Sequence, residues 1–310
     1  MVQPHVRTVL GQIPQDELGF VDAHSHTWID VVEGAGPDAP HLNDEETILA
    51  GLEAYSNAGG CAIVDCQPGY CGRNGIKLAR YADLSGVNIV ACTGFHRRQY
   101  YGSEPGPWKM SAQEACDFFL DEIKNGLCET RSTHRVVWPG FIKIAAEKTL
   151  AESPKALFEA AAIACRVTGL AIEMHTERGA DLESFLAFFL GRKVSPSRLV
   201  FCHVDKRPDF GLHRELAGDG VLLEYDTFFR PYYQPEDHVW PLLNQMIQAG
   251  LGSSVALATD MASENMWQQL GPAAFITEIG GRLRNEGIDP ITLQQLLGGN
   301  IVGRLAINDE

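Results

Sequence analysis

Cations are scarce in this chain: 25 lysines and arginines stand against 40 aspartates and glutamates in 310 residues, for a formal net charge of −15. A nucleic-acid surface needs clustered Lys and Arg to neutralise phosphates, so that class is excluded and a small-molecule substrate is expected instead. No run of eighteen apolar residues occurs, which leaves no membrane-spanning helix. The start, MVQPHVRTVLGQIPQDELGF, lacks a basic stretch followed by an apolar core, so no signal peptide is expected and the expected location is cytoplasmic. Cys66 and Cys71 have no second closely spaced pair to complete a zinc knot. Several of the eight cysteines sit in apolar runs, where they read as free, buried thiols of a reducing compartment. No Gly-x-Gly-x-x-Gly opens a helix and no Gly-x-Ser-x-Gly elbow is present, so nucleotide binding and serine-nucleophile hydrolysis lack support. No linker rich in Pro, Gly or Ser divides the chain, which reads as one domain over 1–310.

What is present is a soluble globular composition, 45% hydrophobic and 21% charged, with enough length for a large core. Short apolar runs recur at 19–26, 61–67, 87–94, 141–146, 170–176, 199–204, 221–227 and 255–260, giving eight expected strands. Helical spacing fills the intervals, as in NDEETILAGLEAYSNAGG, where Asn43 is the expected cap and Gly59 the close, and in SPKALFEAAAIACRVTG, with Ser153 before Pro154. The aromatics of FLAFFL, 185–190, have helical spacing and read as core.

A βα alternation of this length fits a (β/α)8 barrel or a doubly wound sheet. An open sheet gathers its chemistry at one switch point, whereas a barrel draws it from the C-terminal ends of many strands. His24, His26, Lys143, His175, His203 and Asp260 lie at or near the ends of five different strands, which selects the barrel. His24 and His26, at i and i+2 on a strand, would face one point, as metal ligands do. Taken singly, His175 or His203 fits a hydrogen-bonded core histidine and Asp260 a helix cap. Lys143 stands out because FIKIAA buries a lysine mid-strand, where an ammonium must find a partner or lose its proton. A neutral lysine amine can take up carbon dioxide as a carbamate.

In order along the chain, AHSH, GFIK, HTERG, CHVD and ATDM resemble the ligand motifs of the phosphotriesterase family of the amidohydrolase superfamily. The resemblance extends to DCQPGYCGRN, ACTGF and the terminal GGNIVGRL, covering nearly the whole chain. It implies a barrel with a binuclear metal centre at the C-terminal ends of its strands. His24, His26 and Asp260 would hold the buried metal, His175 and His203 the exposed one, and carboxylated Lys143 would bridge them. A hydroxide between the metals would attack, with Asp260 passing its proton to the leaving group. Zinc is the expected metal, with manganese, iron and cobalt as alternatives. Ser25 replaces the glutamate many members carry between the two histidines, on the opposite strand face from the ligands.

Substrate choice falls to the strand-end loops. His96, Arg97 and Arg98 follow the third strand, Arg178 and Lys206 the fifth and sixth, and Arg230, Tyr232 and Tyr233 the seventh. So many cations at one rim of an acidic protein suit an anionic substrate. Equally, they could pair with Asp181, Asp205, Asp209 or Glu236 as surface salt bridges. The reading is a hydrolase opening the lactone of a sugar acid or hydroxy acid bearing a phosphate or carboxylate. The alternatives are an organophosphate triester or amide hydrolase with the same centre, and a metal-containing binding protein without turnover. The family resemblance adds the expectation of a homodimer.

Overall fold

The structure, a computed structural model, describes residues 3–308. Among them the strands are β1 (His5–Thr8), β2 (Gly11–Pro14), β3 (Phe20–Ser25), β4 (Gly60–Asp65), β5 (Asn88–Val90), β6 (Cys92–Gly94), β7 (Phe141–Ala145), β8 (Ile172–His175), β9 (Leu199–Cys202), β10 (Leu222–Tyr225) and β11 (Val255–Leu257). The intervening helices include α1 (Glu45–Asn57), α2 (Gly75–Ser85), α3 (Ala112–Asn125), α4 (Lys155–Thr168), α5 (Leu182–Gly191), α6 (Phe210–Asp219) and α7 (Val239–Gln248). The fold is α/β with parallel sheets, and the eight expected strand regions are all present.

Those regions do not form one continuous ladder. β3, β4 and β5 make a parallel three-stranded sheet, and β6 to β11 a parallel six-stranded sheet in chain order. One seam lies inside the single strand expected at 87–94, which is interrupted at Ala91 so that β5 pairs with β4 and β6 with β7. The other lies between β3 and the end of β11, where hydrogen bonds from beyond the strand replace regular pairing. Asp260 N donates to His24 O at 2.8 Å, while Thr259 donates to the buried Asp22 carboxylate through its N at 3.0 Å and its hydroxyl at 2.5 Å. The antiparallel β1–β2 hairpin is an addition that the apolar pattern does not announce.

Local chemistry explains the helix ends. Asp44, not the expected Asn43, caps α1, accepting from Glu46 N and Thr47 N, because it is the residue directly before the first turn. Gly169 closes α4 in the left-handed conformation at φ 72°, which glycine adopts without a Cβ penalty. The helices bury their apolar faces against the outside of the sheets: Phe158 of α4 lies with ring centroids 5.6 and 5.9 Å from Phe185 and Phe189 of α5. The three phenylalanines of FLAFFL and Leu186 are therefore core, while Ala187 and Leu190 are exposed. A second, smaller cluster of Ala62, Val64, Val200, Leu222 and Ala256 lines the other side of the strands.

Candidate metal centre and cavity

A bulge in β3 prepares the site. Three residue steps, Asp22 to Ser25, span only two of β4, Ile63 to Asp65, so one extra residue is accommodated around Ala23 and His24. Such bulges bend a strand and redirect its side chains, and here the irregularity includes the first histidine of the pair. His24, His26, His175, His203 and Asp260 then line one cavity of about 270 Å³, together with His96, Arg97, Lys206 and Arg230. Lys143, fully buried, lies beneath them.

Asp260 is the hub. Its Oδ1 lies 3.8 Å from both His24 Nε2 and His26 Nε2, and its Oδ2 lies 3.9 Å from His203 Nδ1 and 2.7 Å from Arg230 Nη2. The rings of His24 and His175 sit with centroids 4.8 Å from that of His203. His203 and Asp260 both hold left-handed backbone, φ 62° and 47°. Outside glycine that conformation costs of order 1–3 kcal/mol, and it concentrates at functional sites.

Burial keeps the imidazoles neutral, the form that binds metal. It holds His24 and His203 well below the ordinary range, lowers His175, and brings His26 down to about 4. His24 Nδ1 lies 2.8 Å from Glu224 and His203 Nδ1 2.5 Å from Asp226, so carboxylates fix both rings from behind. His26 Nδ1 is buried without a partner. For Asp260, burial opposes ionisation, but Arg230 at 2.7 Å leads the groups that outweigh it and hold the carboxyl below its usual range. The donor chemistry fits divalent cations: His24, His203 and Asp260 each bring a ligand atom within 4.8 Å of the others.

With no metal bound, Lys143 has a carboxylate partner. Its Nζ lies 3.1 Å from Glu173 Oε1. Burial opposes the ammonium, but the surrounding Cys202, Cys66, Glu173 and Glu224 groups more than compensate and raise its pKa well above the ordinary range.

At the rim, Arg97, Lys206, Arg230 and His96 reach the cavity, whereas Arg98, Arg178, Tyr232 and Tyr233 are not among its lining residues. Arg98 is turned to Tyr101 O at 3.0 Å, Arg178 lies over the Tyr232 ring at 5.8 Å, and Tyr233 takes Lys206 over its ring at 5.5 Å. The acidic partners also differ from those expected. Arg97 pairs with Glu177 at 2.7 Å and Glu147 at 3.3 Å, and Arg230 with Asp260. Asp181, Asp205, Asp209 and Glu236 instead bond Leu150 N, the Thr227 turn, the start of α6 and Arg282.

The sequence reading passes over Glu173, Glu224, Asp226 and Glu177. Glu173 and Glu224 carry the same signal as Lys143, a charge inside an apolar strand. Glu177 accepts from His175 Nε2 at 3.0 Å, and as a loop residue it gives no such signal.

Fold and site together define a parallel-stranded α/β protein whose histidines and carboxylates gather at and just beyond the C-terminal ends of the strands. The family model for the phosphotriesterase family matches residues 4–301, and the chain belongs to that family. It is 26% identical over 279 residues to a phospho-furanose lactonase of Mycoplasmopsis synoviae (strain 53), covering 84% of this chain and 77% of that one. Its fold matches the crystal structure of a lactonase from Listeria monocytogenes with a TM-score of 0.87 at 19% identity, covering 99% of this chain and 100% of that one. It also matches the phosphotriesterase homology protein of Escherichia coli, solved with phosphate in its active site, with a TM-score of 0.82 at 22% identity over 93% of this chain and 98% of that one.

Proposed function

We propose that the protein is a metal-dependent lactonase, its two sheets forming a (β/α)8 barrel around a binuclear centre. His24, His26 and Asp260 would hold the buried cation, His175 and His203 the exposed one, and Lys143, as a carbamate, would join them. The observation that carries this reading is the convergence of His24, His26, His175, His203 and the ionised Asp260 on a cavity that Arg97, Lys206 and Arg230 also line. When bound, two divalent cations supply Lewis-acid polarisation of a carbonyl and a water acidic enough to ionise near neutral pH.

The chain's own groups do the rest. Arg230 grips Asp260 Oδ2 and leaves Oδ1 facing His24 and His26. Asp260 takes the proton of the attacking water at Oδ1 and delivers it to the ring oxygen as the acyl carbon–oxygen bond opens. Arg97, Lys206 and Arg230 give a cationic wall for a phosphate or carboxylate on the lactone. The relative named as a phospho-furanose lactonase supports that assignment, as does the E. coli structure with phosphate in its active site.

Turnover of sugar lactones with and without the anionic group is the test. Loss of a charged hydrogen bond costs about 1.5–3 kcal/mol, so the neutral lactones should fall by roughly 10- to 100-fold in kcat/KM. Equal values would remove the anionic assignment. A neutral triester such as paraoxon gains nothing from the cationic wall and should be a poor substrate; efficient turnover would favour the triesterase alternative.

A further inference from the structure

Among the described residues, Asp38, Glu177 and Asp260 are the carboxylates that line the cavity. Two of them are committed to partners. Glu177 pairs with Arg97 at 2.7 Å and with His175 at 3.0 Å, and Asp260 pairs with Arg230. The Asp38 side chain makes no hydrogen bond or ion pair with a described residue and is exposed to solvent. In a cavity whose cations are proposed to hold an anion, such a carboxylate works against binding unless the ligand also brings hydroxyl or N–H donors to it.

The backbone holds Asp38 in place. It lies in the connection between β3 and α1, which the Ile29–Leu42 bridge draws together. Gly36 N donates to Gln99 O and Ala39 N to Gly36 O, both at 2.9 Å, so the turn that carries Asp38 is pinned before and after it. A Cβ at Gly102 would run into Glu33 O, which shows how closely this connection packs on the backbone around residues 98–103. That same stretch brings Tyr100 to the cavity, its ring edge-on to His96 with centroids 4.8 Å apart. The cavity therefore offers a carboxylate and a phenol as well as its cations, and both suit hydroxyl groups.

We infer that Asp38 selects a polyhydroxylated ligand: its carboxylate accepts from a ring hydroxyl of a sugar lactone whose phosphate or carboxylate is held by the cavity's cations. A lactone with only an alkyl substituent would leave the carboxylate facing carbon and stripped of water. This deepens the lactonase reading and rests on it for the carbonyl, but not for the ring hydroxyl.

The test measures binding by calorimetry to the full-length, zinc-loaded protein. The probes are an anhydropentitol phosphate, which is a sugar-ring phosphate with no carbonyl to hydrolyse, its analogues lacking one ring hydroxyl each, and inorganic phosphate. Loss of one particular hydroxyl should weaken binding to wild type by about 10-fold. Asp38→Ala should bind the parent probe weaker by about the same factor, be indifferent to that hydroxyl, and bind inorganic phosphate no more weakly than wild type. Asp38→Asn, a neutral acceptor of similar shape, should fall between. A variant that keeps the hydroxyl discrimination, or loses phosphate binding to the same extent, would overturn the role of Asp38, as would a wild type indifferent to every hydroxyl. The contrast at Asp38 without turnover of any lactone would keep the hydroxyl contact and remove the lactonase reading. Lactone turnover without the contrast would do the reverse.

Discussion

Asp260 combines three duties: it faces two histidines, it pairs with Arg230, and its backbone N bridges to His24 O at the β3 seam. Asp260→Asn preserves the shape and removes the proton acceptor. It should lower kcat by about 10²- to 10⁴-fold while elemental analysis finds the metal retained; unaltered kcat would take the proton transfer away from this residue. Lys143 and Glu173 form a fully buried ion pair. In metal-free protein, Lys143→Met strands the carboxylate and should cost about 3–5 kcal/mol in urea unfolding. Adding Glu173→Gln should restore most of that loss, and simply additive losses would contradict the pairing. Lys143 was legible in the sequence because a charge inside FIKIAA violates the apolar pattern. LAIEMHT and VLLEYDT break the pattern in the same way at Glu173 and Glu224, and that criterion, applied evenly, reaches both. Asp226 and Glu177 matter through partners that the fold brings to them, and no local pattern reports that.

At the scale of elements, strand existence was legible and strand continuity was not. The run 87–94 is apolar throughout, yet it breaks at Ala91 because its two halves pair with different neighbours. Gly94 shows how tightly β6 approaches β7: at φ 116°, a Cβ there would run into the Lys143 carbonyl. Gly94→Ala should cost on the order of 3 kcal/mol and displace the strand that carries Lys143; a variant as stable as wild type would contradict that contact. The end of β3 should also set a pH limit. His26 has a folded pKa of about 4 against an unfolded value near 6.5, so the unfolded chain binds the extra proton between them. The stability contributed by its neutral form is complete above pH 6.5 and lost as pH falls toward 4. Asp22, which burial raises to about 7, works in the opposite sense over the same range. His26→Asn isolates the histidine. Between pH 6.5 and 4, metal-free wild type should lose about 3 kcal/mol relative to this variant in urea unfolding, and parallel pH profiles would contradict the assignment.

Across the whole molecule, the net charge of −15 contrasts with the arginines and lysine gathered at one cavity. Local cations in an acidic protein can select an anionic small molecule where the overall charge would repel it. The order of five motifs made the family legible, and their convergence required the fold. Choosing the substrate-facing cations among the rim residues also required it, since Arg97 and Arg98 are neighbours in sequence yet only Arg97 lines the cavity. The central claim is that this cavity opens anionic lactones with the help of divalent metal. Its most direct test follows proton release from a phosphorylated sugar lactone in a pH-stat, with metal-stripped protein to which zinc is then added. The account expects no hydrolysis above background before zinc and steady ring opening after it. No hydrolysis by fully loaded protein, or equal hydrolysis without metal, would contradict it.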